Sequence, residues 1–317
     1  MHFGGPMGDE ALSAPAIRVI SAPHGFAVRY SPADITGHWH DLIALDGQRM
    51  GVLIGCCTDA RGAGPLRELA RAALIRSGDP VVSLDSLGDA PVSALCAVID
   101  GETLSCSTRG LACAAVAAPG GATVMLGQAE GRLAVAAVDP GATVLLATGP
   151  IPEGVGLPDG CAVLHPERVA DRVVVGLTGS GVVVLYRHPP EPLAITLPAT
   201  PDSLSISRGR LRDWLASAAV DPEACADLLL AVGEATANAT EHAVLGASGD
   251  VQITLTAAIN GLRIAATVAD NGVWKPVADS PGHRGHGIPL INALVDSADL
   301  STTSDGTTVT MLKDLQP

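Results

Sequence analysis

The sequence predicts an α+β protein in two parts, the first of packed sheets flanked by helices and the second of α/β layers. Three observations predict it. From residue 27 to residue 187 short strand patterns are many and helical ones few, which indicates sheets packed together with helices outside them. A stiff run, His188-Pro189-Pro190-Glu191-Pro192, then reads as a linker. Beyond it a long apolar helical pattern, 221–245, stands among alternating strands. The expected division is a disordered tail over 1–12, a first domain over 13–187, the linker at 188–192 and a second domain over 193–317.

Composition fits two aliphatic cores. The chain has 317 residues, 47% of them hydrophobic and only 2% aromatic, so small aliphatic side chains must fill the interior. A net charge of -14 argues against a nucleic-acid partner, because phosphates would be repelled. The seven cysteines form no C-x-x-C pair, which fits buried, reduced thiols rather than a disulfide frame. No apolar run reaches membrane length uninterrupted, and the N-terminus lacks a basic region followed by an apolar block. The expectation is a cytoplasmic protein with no membrane association.

In the first half, strands are expected over 34–45 and 49–57, joined through Asp46-Gly47, a tight hairpin signal. A helix follows over 65–77. Strands come next over 92–99 and 103–107, hinged on Asp100-Gly101, then over 112–117, 123–126, 133–138 and 143–147. A short helix near His165 and a strand over 181–187 close this half.

In the second half, residues 193–197 read as an edge strand and 203–218 as a helix anchored by Trp214. Asp221 can cap the next helix, with Pro222 placed where its missing N–H costs nothing. Leu228, Leu229, Val232, Ala235 and Ala239 supply its buried stripe. Glu234, Asn238 and His242 lie four apart and stack on one face. A carboxamide oxygen can ligate Mg²⁺ while a carboxylate one turn away takes a hydroxyl proton; the same pattern also suits a solvated helix face. Strands over 251–255 and 262–268 turn at Asn260-Gly261 and end at Asp270-Asn271-Gly272. A carboxylate there can accept from the exocyclic amine of adenine, and the glycine lets backbone approach the ring. Gly285-His286-Gly287 opens a helix with apolar Ile288, Ile291, Leu294 and Val295, and free amides at such a start favour a phosphate. Asp305-Gly306 then turns into a last strand over 307–312.

The first half resembles the SpoIIE-type (PPM) metal-dependent serine/threonine phosphatases. The family's G-G-D-x-x-D stands here as Thr36-Gly37-His38-Trp39-His40-Asp41, its Gly-Asp turn as Gly55-Cys56, its Thr-Asp-Gly as Thr148-Gly149-Pro150, and its terminal acidic pair as Gly179-Ser180-Gly181. The resemblance implies a β-sandwich flanked by helices, with two divalent ions held by aspartates. One surviving aspartate, Asp41, cannot hold two such ions, and Asp59 would need a shifted register. This half is therefore expected to be a phosphatase by descent and inactive by chemistry. An alternative places Zn²⁺ on His38 and Cys56, with His40 on the same strand face.

The second half resembles the ATP-binding domain of the histidine-kinase-like ATPase (GHKL, Bergerat) superfamily, and most closely its anti-sigma-factor serine/threonine kinases, the RsbW-like group. The E-A-x-x-N-x-x-x-H helix is Glu234 to His242, D-x-G is Asp270 to Gly272, G-x-G-I is Gly285 to Ile288, and G-T-x-V is Gly306 to Val309. The resemblance implies an α/β sandwich binding ATP and Mg²⁺. It implies Asn238 as metal ligand, Glu234 as catalytic base, Asp270 and Gly272 at adenine, and Gly285 and Gly287 in the phosphate lid. His242, Gly306, Thr307 and Thr308 complete the expected nucleotide contacts, and Arg284 offers a cation to the phosphates. Val273-Trp274 replaces a second glycine common after D-x-G, and His286 stands where a basic residue is common. The function implied is phosphorylation or sequestration of a protein partner, an anti-sigma-factor antagonist or a sigma factor, with a homodimer compatible with it. Nucleotide-gated binding without phosphoryl transfer and a phosphatase with rearranged ligands remain open at this point.

Overall fold

The computed structural model describes residues 18–20, 25–31, 36–46, 49–119, 123–127, 129–150, 166–177, 181–242, 251–260, 263–272, 287–303 and 306–315. The expected N-terminal tail, and the turn residues Gly47, Gly261 and Asp305, lie outside them.

The first half opens with β1 (Arg18–Ile20), β2 (Phe26–Ser31), β3 (His38–Asp46) and β4 (Arg49–Cys57). Helices α1 (Ala60–Ser77) and α2 (Pro80–Asp85) follow, then β5 (Val92–Asp100), β6 (Thr103–Arg109), β7 (Cys113–Ala117), β8 (Thr123–Leu126), β9 (Ala134–Ala137) and β10 (Thr143–Ala147). Helix α3 (Pro166–Gly176) and β11 (Gly181–Arg187) complete it. The strands form two antiparallel sheets, β1-β2-β11-β10-β7-β8 and β3-β4-β5-β6-β9. Between them lies a core of Val52, Ile54, Leu95, Leu104, Val144, Leu146, Val182 and Val184. Each outer face is covered by helix: α3 packs Val169, Val173 and Val174 on Leu145, Val183 and Leu185, while Ala70, Leu74 and Leu84 of α1 and α2 pack on Leu53, Ala94 and Cys96. This is a helix-flanked β-sandwich.

Two helix starts differ from the sequence reading for one reason. Asp59 caps α1 by accepting from the Arg61 N–H, so the helix begins at Ala60 and carries Pro65 inside it rather than starting at the ring. Asp79 caps α2 in the same way through the N–H groups of Val81 and Val82, with Pro80 at the first position. That helix was not expected because six residues are too few for a periodic stripe.

The second half has β12 (Leu193–Pro198), α4 (Pro201–Ser217), α5 (Pro222–His242), β13 (Gln252–Asn260), β14 (Arg263–Asp270), α6 (Gly287–Leu294), β15 (Ser297–Thr303) and β16 (Gly306–Asp314). All five strands pair antiparallel in the order β12-β13-β14-β16-β15. One face carries Ile253, Leu255, Ile264, Val268, Val309 and Met311 against Leu211, Trp214, Leu228, Val232, Ala235 and Ile291 of the three helices. Asp221 accepts from the N–H groups of Glu223 and Ala224, as its capping role requires. Lys313 ties three elements together: its ammonium lies 2.7 Å from Asp227 of α5 and donates to the Leu294 carbonyl at the end of α6.

The segment between the halves is anchored on both sides. The His188 N–H donates to Ala142 O, and the Glu191 carbonyl accepts from the Trp214 indole N–H at 2.7 Å. No helix among the described residues is long and apolar enough to cross a membrane. Burial pushes the Cys96 thiol up to about 12 and those of Cys106 and Cys225 up to about 11, so these thiols stay protonated.

Candidate nucleotide site and the altered sandwich end

Helix α5 presents two polar side chains to the start of α6. Its stripe of Leu228, Ala231, Val232, Ala235 and Ala239 is buried against the sheet, which leaves Glu234 and Asn238 half-buried at the margin, one turn apart. Thr236 and Thr240 donate to carbonyls four residues back, so their hydroxyls are spent within the helix. Arg208 of α4 lies over Gly233, where a Cβ would fall 2.7 Å from its Nε.

Helix α6 brings the third component. A Cβ built on Gly287 would lie 2.6 Å from Glu234 Oε1 and 2.7 Å from Asn238 Nδ2. The N-terminal residue of α6 therefore lies against both side chains, and a Cβ there would make their flexible ends shift. A carboxamide, a carboxylate and the amide-rich start of a helix thus meet at one point. That donor set fits a hard cation and a phosphate together: oxygen ligands for the former, N–H groups and the helix dipole for the latter.

The second candidate group is at the end of β14. Asp270 is directly opposite Thr307 in the ladder, and it accepts from the Gly272 N–H at 2.9 Å. Burial pushes its carboxyl above the ordinary range; the N–H groups of Gly272 and Thr307 pull the other way. Gly306, at φ +140°, is pressed on the Asp270 main chain, where any Cβ would lie 1.7 Å from the carbonyl oxygen. Asp270 and Thr307 share the helix-covered face with Val268, Val309 and Met311, since side chains alternate along a strand. Thr308 has the opposite parity, so its side chain is on the other face of the sheet.

The described residues bring together Glu234, Asn238 and Gly287 as one group, and Asp270, Gly272, Gly306 and Thr307 as another at the end of β14. Thr308 is turned away. His242 ends α5 at the expected helical position; its side chain, with Arg284, Gly285 and His286, lies outside the described residues. Asn271 was passed over in the sequence as the variable middle of D-x-G, yet its side chain accepts from the Gln252 N–H at 2.7 Å.

The end of the sandwich where the phosphatase resemblance puts metal ions is different in character. His38 is the direct ladder partner of Cys56. His38 and His40 share a strand face, with ring centroids 6.4 and 5.7 Å from that of Tyr30, and the Tyr30 hydroxyl is hydrogen-bonded to His40 Nδ1. The adjoining cleft, about 490 Å³, is lined by Thr36, His38, Cys56, Cys57, Thr58, Pro91, Val92 and Ser93, with no carboxylate among the described residues. Asp41 has the opposite strand parity and is bound by Arg67 of α1 at 2.9 Å. Asp59 is spent as the cap of α1. Among the described residues no group of three or more His, Cys, Asp or Glu could hold a metal ion, so the zinc alternative lacks a third ligand there.

The model of the histidine kinase-like ATPase domain matches residues 197–313. Among solved structures, the RsbU and RsbW domains of Rv1364c from Mycobacterium tuberculosis share 22% identity at a TM-score of 0.52, over 94% of this chain and 98% of that one. The PP2C phosphatase domain of the cell fate determinant SpoIIE from Bacillus subtilis, with a fragment of its regulatory domain, aligns with 54% of this chain and 64% of that one, at 11% identity and a TM-score of 0.40. Residues 197–313 thus match the histidine kinase-like ATPase domain, and the chain as a whole shares the two-domain fold of that RsbU–RsbW structure.

Proposed function

We propose that this chain is an ATP-dependent regulator of the anti-sigma-factor kinase type, phosphorylating a serine of a small protein antagonist or sequestering a sigma factor. The observation that carries the reading is the contact of Gly287 with both Glu234 and Asn238. Asn238 would offer its amide oxygen to Mg²⁺, and the amides opening α6 would hold the phosphates. The metal, when bound, supplies charge neutralisation at the phosphates. Asp270 would accept from the adenine amine. In the transfer, the serine oxygen bonds to the γ-phosphorus as the bond to the β,γ-bridging oxygen breaks, ADP leaves, and the hydroxyl proton passes to Glu234. A binding-only module has no use for that carboxylate.

The sandwich half, in this reading, has lost hydrolysis and keeps its fold as a sensory or dimerising partner. Two hard divalent ions need several oxygen ligands. Asp41 is committed to Arg67, and the cleft offers hydroxyls, two thiols and an imidazole instead.

The test is incubation with labelled ATP, Mg²⁺ and a candidate serine-bearing antagonist. Transfer by the wild type, lost in Glu234→Ala while ATP binding persists, is the expected result. Binding without transfer by the wild type would leave a nucleotide-gated binding protein, and release of phosphate from a phosphoserine protein with Mn²⁺ would overturn the reading of the first half.

A further inference from the structure

We infer that Asn271 is a positioning residue that fixes Asp270 and so sets selectivity for a purine bearing an exocyclic 6-amino group. The inference rests on the nucleotide reading above and deepens it.

The β13–β14 ladder runs in register from Asn260 opposite Arg263 to Ile253 opposite Asp270. One step further, Gln252 faces Asn271, which is outside the strand. The Asn271 N–H donates to Gln252 O at 3.3 Å, as a continuing antiparallel ladder would have it. The return bond is different. The Gln252 N–H donates at 2.7 Å to Asn271 Oδ1, so a side-chain oxygen takes the place of the main-chain carbonyl. That exchange has a consequence for the backbone. The main chain is released from the sheet immediately after Asp270, yet no Gln252 donor is left without a partner.

The early departure places the next amide. The Gly272 N–H folds back onto Asp270 Oδ1 at 2.9 Å, a bond available only if the chain turns at residue 271. The Thr307 N–H holds the carboxylate from the neighbouring strand, and Gly306 is packed on the main chain of Asp270 and Asn271. Asp270 is thus set between a fixed strand and a turn that Asn271 pins. Without that pin the turn gains freedom, and the carboxylate loses one of the two amides that aim it. An acceptor that is free to rotate discriminates poorly between ligands that offer a donor and ligands that do not.

The experiment compares two probes on the full-length protein with Mg²⁺: ATP, and the triphosphate of purine riboside, which lacks the 6-amino group. The quantity read is the ratio of their dissociation constants, which a general loss of stability does not move. The wild type is expected to prefer ATP by about tenfold or more, the range of a hydrogen bond to a charged group. Asn271→Ala is expected to bring that ratio several-fold towards unity. Asn271→Asp keeps an acceptor oxygen and is expected to retain the preference. Should Asn271→Ala not melt cooperatively, Asn271→Ser, whose hydroxyl is one bond shorter, gives the same reading. A ratio in the Ala or Ser variant equal to the wild-type ratio would overturn the inference while leaving the nucleotide reading standing. Failure of the wild type to bind either triphosphate would overturn both.

Discussion

Gly287 is set so close to Asn238 that a single methyl group on it would lie 2.7 Å from the carboxamide nitrogen. Two elements far apart in sequence meet there without an intervening side chain, so a methyl group on Gly287 would make the ends of Glu234 and Asn238 shift. Gly287→Ala would displace the Glu234 carboxylate and the Asn238 carboxamide or push α6 outward. The expected result is a loss of ATP affinity of about tenfold or more with a cooperative melt retained, because remote misplacement of binding groups costs this much or more. Calorimetric titration of the variant checks it.

Asp270 should show the trade between function and stability. Burial raises its carboxyl pKa from the ordinary 3.8, so the fold disfavours the charged form. The stability linked to this group is fully present below the unfolded pKa and is lost as pH rises through the folded value. At pH 7 the ionised carboxylate is therefore a burden to the apo protein. Asp270→Asn is expected to leave the melting temperature at pH 7 unchanged or higher while weakening ATP binding about tenfold to a hundredfold. A lower melting temperature at pH 7 would contradict the assignment of burial as the dominant cause.

The placement of several candidate residues was legible in the sequence. Asp221-Pro222 and the stripe through Leu228, Val232 and Ala239 fixed α5, and a spacing of four put Glu234 and Asn238 on one side of it. What the residues could not convey was parity and exchange across strands. Thr307 and Thr308 are chemically alike, and only their register opposite Asp270 and Ala269 separates an inward hydroxyl from an outward one. Asn271 acts through Gln252, nineteen residues away, with no local pattern to announce it. Strand β15, Ser-Ala-Asp-Leu-Ser-Thr-Thr, was missed because an edge strand this exposed buries no face and shows no alternation. The start of α1 was misplaced because Pro65 is a stronger local signal than the aspartate six residues earlier that caps the helix.

Lys313 holds α5 and the end of α6 to β16 through Asp227 and the Leu294 carbonyl. Its pKa is raised from 10.5, chiefly by the hydrogen bond to Asp227. The linked stability is present below the unfolded pKa and disappears as pH rises through the folded one. Lys313→Met is expected to cost about 1–3 kcal/mol in urea unfolding at pH 7. The gap between variant and wild type should narrow once the pH passes 10.5.

Asp41 offers a direct test of the reading of the sandwich half. If its role is the ion pair with Arg67, which is 41% exposed at the side chain, then Asp41→Asn should cost about 1 kcal/mol or less, the usual worth of a partly solvated pair. Titration with Mn²⁺ should give the same result for wild type and variant. A saturable Mn²⁺ site in the wild type that vanishes in Asp41→Asn would restore this aspartate as a metal ligand.

The most direct test of the central claim is calorimetric titration of the full-length protein with ATP, with and without Mg²⁺, in the wild type and in Asn238→Ala. Saturable binding to one site per chain, dependent on Mg²⁺ and weakened about tenfold or more by the substitution, is the result expected. Heats that never saturate, or an affinity indifferent to both Mg²⁺ and Asn238→Ala, would contradict it.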